Sequence, residues 1–247
     1  MINKSNVIFT GGSGLLGTTF RKILPEINYP SLEQFDVTNY TQMEEYVKSH
    51  KCELIIHAAA FTSPPMVEKD PLKALEVNIA GTCNVVKLCM KYDIRLIYIS
   101  TDYVFEGSQG NYKETDPVNP VNKYAWSKLG GECAVRMYDK SLIIRTTFGP
   151  DVFPYEKAFT DQWTSRESVS IIAGKISKLI DEQLTGIIHI GGERRTVFEY
   201  ARSLDPNKSI GKLSVEDVSF NAPVDTSLNC ERYDELIHKV PGITKQN

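Results

Sequence analysis

Paired cysteines, long apolar runs and an excess of either charge are all missing from this 247-residue sequence. Its five cysteines (Cys52, Cys83, Cys89, Cys133 and Cys230) are odd in number and include no CxxC pair. That argues against a disulfide frame or a zinc site and for reduced thiols. No run of about 18 apolar residues occurs, which excludes a membrane-spanning helix. Lys and Arg number 28 against 31 Asp and Glu, a net charge of −3, so the basic excess of a nucleic-acid binder is absent. The opening Met1-Ile2-Asn3-Lys4-Ser5 has no apolar segment or small-residue cleavage site of a signal peptide. No repeat, coiled coil, low-complexity tract or metal-ligand spacing stands out. The expectation is a cytoplasmic protein with no membrane, nucleic-acid or metal partner. Its 41% hydrophobic content suffices for one large core, or one core and a small appendage.

Short apolar runs alternate with helical periodicity, the pattern of repeated βα units and a parallel sheet. Strands are expected at Asn6–Thr10, briefly at Ile27–Tyr29, and at Leu54–His57, Arg95–Ile99 and Leu142–Arg145. Helices are expected at Leu15–Leu24, stopped near Pro25, after the Asp36–Asn39 turn, from Pro71 to Tyr92, and from Asn122 through Tyr138. Beyond Pro150 the texture changes. Phe148–Glu167 is aromatic and irregular; a helix at Val169–Ile180, a strand at Gly186–Ile190, a short helix at Thr196–Leu204 and a weak one at Tyr233–His238 follow. The expected fold is a Rossmann-type doubly wound parallel sheet over residues 1–150. A reduced substrate-binding region, 151–247, should pack over the sheet's carboxyl edge.

Three stretches carry chemistry. Gly11-Gly12-Ser13-Gly14-Leu15-Leu16-Gly17 follows a strand and opens a helix. There, glycines allow a tight turn and let backbone N–H groups approach a pyrophosphate, whose charge the helix N-terminus favours. Gly11, Ser13, Gly14, Leu15, Leu16 and Gly17 are therefore cofactor candidates. An acid about 20 residues after such glycines binds the ribose 2′-hydroxyl of NAD; here Ser31 stands near that place, which tilts the reading towards NADP. Asp36, with Val37, either faces the adenine or caps the next helix. His57-Ala58-Ala59-Ala60 ends the third strand, where small residues admit a flat cofactor or simply tight packing. His57 and His189 read as satisfied strand histidines. Tyr124-Ala125-Trp126-Ser127-Lys128 places a phenol and an ammonium at i and i+4 on one helix face. The ammonium would favour the phenolate and lower the Tyr124 pKa, and the Thr101 hydroxyl could hold a substrate oxygen.

Together with Asn78, Ser100-Thr101-Asp102-Tyr103-Val104-Phe105, Glu114, Pro120, Lys128-Leu129-Gly130-Gly131-Glu132 and Arg145-Thr146-Thr147-Phe148, these stretches resemble the extended short-chain dehydrogenase/reductases. Within that family the likeness is to the nucleotide-sugar 4-ketoreductases of the dTDP-4-dehydrorhamnose reductase type. The late segments Gly186–His189 and Pro223–Leu228 fit too. The resemblance implies a catalytic triad of Thr101, Tyr124 and Lys128, with Tyr124 protonating a carbonyl oxygen as hydride arrives from NAD(P)H. It implies that Ser100, Tyr124, Lys128 and Ala58–Ala60 line the cofactor, and that Thr62, Thr101, Asp102 and Phe148 face a nucleotide-sugar substrate. A homodimer is also implied. Asn78 either supports this site or is a buried helix amide. The chain departs from the family between Pro150 and Asp161, which is short, at Phe148, where a Trp is usual, and within Asp161–Glu167, where the family's Gly and Pro-Thr are replaced. Epimerase or dehydratase chemistry and a non-catalytic regulatory subunit are the alternatives to a reductase.

Overall fold

The computed structural model describes residues 1–238. In chain order the named elements are β1 (Val7–Thr10), α1 (Leu15–Ile23), α2 (Tyr40–Ser49), β2 (Leu54–His57), α3 (Pro64–Lys69), α4 (Pro71–Ala74), α5 (Thr82–Tyr92), β3 (Arg95–Ile99), α6 (Lys123–Val135) and β4 (Ser141–Thr146). After these come the two- and three-residue strands β5 (Phe148–Gly149), β6 (Lys157–Phe159), β7 (Trp163–Thr164) and β8 (Glu167–Ser168). The chain continues through α7 (Val169–Ser177), β9 (Gly186–Ile190), β10 (Arg195–Thr196), α8 (Val197–Leu204), β11 (Gly211–Leu213) and α9 (Glu231–His238).

Strands β1, β2, β3, β4 and β9 form one parallel sheet in that order. Every residue of β1 to β4 is buried, as a sheet covered on both faces requires. Alternation divides them. Val7, Phe9, Leu54, Ile56, Ile97, Leu142 and Ile144 meet Leu16 and Phe20 of α1 and Ile172 and Ile176 of α7. Ile8, Ile55, Leu96, Tyr98 and Ile143 meet Met43 and Val47 of α2, Val85 and Leu88 of α5 and Val135 of α6. The result is three layers, helix, sheet and helix. No helix among the described residues is long and apolar enough to cross a membrane.

Several expectations need adjustment. The short second strand shrinks to one parallel bridge between Asn28 and Ile8, with Asn28 N donating to the Val7 carbonyl and Phe9 N to that of Asn28. The Asp36 carboxylate accepts from Thr38 N and Oγ1 in a local turn, while Asn39 caps α2; Asp36 is not the cap. The run 71–92 is one helical rod interrupted by a π-helical stretch at Leu75–Gly81, and Leu72 and Leu75 point to solvent, not to the core. Helix α6 ends at Val135, short of Tyr138.

The strand Gly186–Ile190, assigned from sequence to the second region, is the sheet's edge strand, and α7 packs beside α1. A cut at residue 150 would therefore split the sheet, parting β9 from β1 to β4. What lies apart from it is a small cluster of Phe153, Ala158, Val197, Tyr200, Ala201 and Ile210. The sequence's tail beyond His238 lies outside the described residues.

Candidate active site

The site is built at the carboxyl ends of β1 to β4. Gly11 leaves β1 at φ +76°, and a Cβ there would lie 2.8 Å from Ala59 N, so only glycine lets this loop cross the chain leaving β2. A Cβ on Gly17 would come within 2.5 Å of the Gly11 carbonyl and 2.6 Å of the Gly12 Cα. Gly14 differs. A Cβ there would meet one atom only, the Gly11 carbonyl at 3.2 Å, so its outer side is open at the N-terminus of α1. Two glycines thus fold the loop and the third leaves room above it, which is the cradle a pyrophosphate needs.

The alanines after β2 are held by a buried network. Thr10 Oγ1 accepts from Ala59 N at 3.1 Å and lies 2.8 Å from His57 Nδ1, and His57 Nε2 lies 3.0 Å from Thr82 Oγ1. Burial, with the Lys128 charge second, pushes the His57 pKa down to about 3. It is a neutral structural histidine, as its strand position suggested. His189 is also buried, with a pKa near 4 from burial and the Arg145 charge, and its Nδ1 pairs with the Tyr112 carbonyl. Ser31 and Thr62 are exposed, Val37 is buried beside Gly81, and Phe148 is partly buried.

Asn78 turns out to join three elements. Its amide donates to the Phe61 carbonyl at 2.9 Å and to Ser127 Oγ at 2.8 Å, and its oxygen accepts from Phe61 N at 2.7 Å. Ser127 Oγ in turn donates to the Tyr124 carbonyl. Asn78 sits in the π-helical stretch, a local widening that often marks functional positions. Gly130 and Gly131 allow this stretch to approach α6, since a Cβ on Gly130 would reach Ile79 at 2.8 Å. The second loop and the Tyr124 helix are thereby fixed to one another.

Around Tyr124 the expected residues assemble, with changes in role. Thr101 caps the short turn Asp102–Val104 by accepting from Tyr103 N at 3.2 Å, and donates to the Asp102 carboxylate at 3.1 Å. Asp102 also accepts from Thr226 Oγ1 at 2.7 Å, and burial raises its pKa. Tyr103 and Tyr124 meet edge to face, 6.3 Å between centroids.

Lys128 is buried, donates to the Ile99 carbonyl at 2.8 Å and lies 4.2 Å above the Tyr98 ring; burial takes its pKa down to about 7. The Tyr124 pKa lies above the ordinary phenol value, because enclosure outweighs the neighbouring Thr101 hydroxyl. The expected depression of the Tyr124 pKa by Lys128 is therefore reversed. The lysine is turned towards the strand end, where its ammonium donates to the Ile99 carbonyl. The Ser100 hydroxyl donates to Glu132 at 2.5 Å, within a buried Glu132–Arg145 ion pair.

Sequence reasoning missed three groups from beyond Pro150. Gln162 donates to the Tyr103 hydroxyl and the Pro223 carbonyl, Thr226 holds Asp102, and the Arg166 charge reaches Asp102, Tyr103 and Tyr124. No local spacing links these residues to Tyr124. The substitutions within Asp161–Glu167 and the likeness of Pro223–Leu228 to the family are the available signals.

A parallel sheet with a glycine cradle after its first strand, and a Tyr and Lys one helical turn apart beside a strand-end Thr, defines the extended short-chain dehydrogenase/reductase class. The family described as RmlD substrate binding domain matches residues 5–226, and the chain belongs to that family. It is 31% identical over 181 residues to a dTDP-4-dehydrorhamnose reductase of Aggregatibacter actinomycetemcomitans, a match spanning 70% of this chain and 62% of that protein. It is 26% identical over 280 aligned positions to methionine adenosyltransferase 2 subunit beta of Bos taurus, covering 95% of this chain and 83% of the relative. Among solved structures it resembles a dTDP-4-dehydrorhamnose reductase from Bacillus anthracis in complex with NADP, with TM-score 0.84, 27% identity, and 96% and 93% of the two chains covered. Similar structures also include a protein bound to NAD and UDP, at 17% identity and TM-score 0.75, a likeness of fold alone.

Proposed function

We propose that the protein reduces the 4-keto group of a nucleotide-linked deoxysugar with NADPH. The observation that carries this reading is the enclosed Tyr124 phenol, packed edge to face on Tyr103 beside the Thr101 hydroxyl, at the same sheet edge as the Gly11–Gly17 cradle. The open side of Gly14 and the alanines after β2 fit a dinucleotide, with Lys128 and Tyr124 at its nicotinamide end. Bound there, a reduced nicotinamide supplies hydride to the carbonyl carbon. With its pKa held above the ordinary phenol range, Tyr124 enters the reaction as an acid and gives its proton to the carbonyl oxygen. The Thr101 hydroxyl, positioned by Asp102, orients that oxygen. A positioned proton donor of this kind contributes about 10²–10⁴-fold.

The preference for NADPH rests on two features. No acid stands at Ser31 to bind a 2′-hydroxyl and repel a phosphate. Arg21, which no spacing rule singled out, lies with its guanidinium 4.6 Å over the Tyr29 ring and 3.3 Å from where a Gly12 Cβ would be. A cation therefore lines the glycine loop where the second strand ends, the side on which the ribose phosphate is read. A nucleotide-sugar substrate also suits a cytoplasmic location.

The test is incubation of the purified protein with a panel of nucleotide 4-keto-6-deoxysugars and NADPH or NADH. Loss of reduced nicotinamide matched by loss of ketone supports the reductase. A new sugar formed with no net nicotinamide oxidation indicates an epimerase or dehydratase. The relative named as a subunit, which aligns over 95% of the chain, favours one further reading: a nucleotide-binding subunit of another enzyme. That reading requires tight NADP binding with no turnover of any sugar in the panel.

A further inference from the structure

Four arginines lie near the sheet's carboxyl edge, and three have carboxylate partners. Arg145 pairs with Glu132, Arg194 with Asp225 and Arg195 with Glu167. Arg145 Nη1 and Arg195 Nε are buried without a hydrogen-bond partner too, but those guanidiniums are ion-paired; Arg166 Nε is likewise buried without a partner, and Arg166 alone of the four has no carboxylate within pairing distance among the described residues. A buried unpaired donor of this kind is costly unless something else satisfies it.

The backbone around Arg166 is fixed. Its carbonyl accepts from Arg195 Nη2 at 3.2 Å. The next two residues form β8, which lies parallel to β5 with Phe148 opposite Glu167. The strand opposite it is small where it must be: the place of a Gly149 Cβ lies 3.8 Å from Arg166 Cδ. The carboxylate nearest in effect, Asp102, is already hydrogen-bonded to Thr226 and Thr101. The charge of Arg166 nonetheless reaches Asp102, Tyr103 and Tyr124 together. Arg166 also lies four residues beyond Gln162, whose amide donates to the Tyr103 hydroxyl at 3.1 Å, so its strand end borders the Tyr103–Tyr124 pair.

We infer that Arg166 is a substrate-binding residue that holds an anionic group of the substrate, a phosphate or a carboxylate, beside the Tyr124 hydroxyl. This deepens the reductase reading and rests on it for the word substrate. The fixed fork of a guanidinium suits either oxyanion bidentately. Two sources could supply the anion: the diphosphate of the nucleotide, or a carboxylate on the sugar ring.

Titration calorimetry of the full chain, with and without NADP, distinguishes these sources and does not depend on turnover. The probes are dTDP, UDP, UDP-glucose and UDP-glucuronate, measured on the wild type, Arg166→Gln and Arg166→Lys. If the diphosphate is the anion, Arg166→Gln weakens dTDP or UDP roughly ten- to a hundredfold, with partial recovery in Arg166→Lys. If the carboxylate is the anion, UDP binding is unchanged and the preference for UDP-glucuronate over UDP-glucose disappears in Arg166→Gln. If no affinity changes while thermal stability falls, Arg166 is only a counter-charge for Asp102 and the proposal is overturned. Absence of ketone reduction in the earlier assay would remove the reductase reading and leave this affinity comparison standing on its own.

Discussion

The glycine loop and the segment from Phe148 to Glu167 line the same sheet edge by opposite means. In the loop, geometry is set by what is missing: side chains at Gly11 and Gly17 would collide with backbone, so the main chain itself forms the surface. In the later segment, backbone is held by two-residue strand pairs and the site is faced by side chains, Gln162 and Arg166, with Thr226 from further along. A surface made of backbone leaves little for a change of side chain to alter. A site made of side chains is free to change with the substrate. The chain accordingly keeps the family pattern in the first region and departs from it in the second.

The sharpest test of the shared edge is Tyr124→Phe, which removes a proton donor and almost no volume. Turnover on a verified keto-sugar should fall by about 10²–10⁴-fold, with NADPH affinity, measured by fluorescence titration, nearly unchanged. Near-full activity would remove Tyr124 from the chemistry and with it the link between the two regions.

Lys128→Met separates burial from function. The Lys128 pKa is about 7 in the fold against about 10.4 in an unfolded chain. Below pH 7 both states carry the proton and the fold bears the full cost of a buried ammonium. Between about 7 and 10.4 the unfolded state binds the extra proton, so stability rises with pH and the cost fades. The variant should therefore melt higher than wild type near pH 6, by an amount on the order of a few kcal/mol, and converge with it near pH 10. Cofactor affinity and rate should fall at both. Parallel melting curves across pH would show that the lysine is not buried in solution.

Within the loop, Gly11→Ala and Gly14→Val should part company. Alanine at φ +76°, 2.8 Å from a backbone nitrogen, strains the fold by about 1–3 kcal/mol and lowers the melting temperature. The Cβ of a valine at position 14 would meet a single backbone atom, so the fold should melt within ~1 kcal/mol of wild type while NADPH binding weakens. Equal melting losses would mean that Gly14 is also a folding glycine and that the cradle has no open side.

How much could be read in the sequence follows the same division. The strands at Leu54–His57 and Arg95–Ile99 were legible because a parallel sheet covered on both faces demands unbroken apolar runs. The Tyr124–Lys128 pair was legible because four residues make a helical turn. Its electrostatics were not: spacing says that two groups are near, but burial decides which way each pKa moves, and here it raised one and lowered the other. Asn78 was ambiguous because a buried amide looks the same from sequence whether or not it joins Phe61 to Ser127. Gln162, Arg166 and Thr226 lie in the stretches Asp161–Glu167 and Pro223–Leu228 that stand out in the sequence, but no spacing assigns them to the site, since they meet Asp102, Tyr103 and Tyr124 from about 40 residues or more away in the chain. Arg21 is hidden for a simpler reason: the position that reads the ribose is expected at the end of the second strand, near Ser31, and this cation comes from α1.

Arg21 carries the smallest expected effect and the finest test of the loop. Its guanidinium lies over the Tyr29 ring, and neither ion pairs nor hydrogen bonds hold it among the described residues, so it is free to meet a phosphate. The side chain is exposed, which limits what a charge there contributes through solvent and salt screening. Arg21→Ala should weaken NADPH about tenfold and leave NADH within about twofold, as a contact to the 2′-phosphate alone requires. The wild-type advantage for NADPH should also shrink with added salt, whereas that of the variant should not. If both cofactors weaken equally, Arg21 acts by bracing Tyr29 against Gly12, and its role is in the shape of the loop. If neither changes, the ribose is read elsewhere, and Ser31 becomes the next position to replace with an acid.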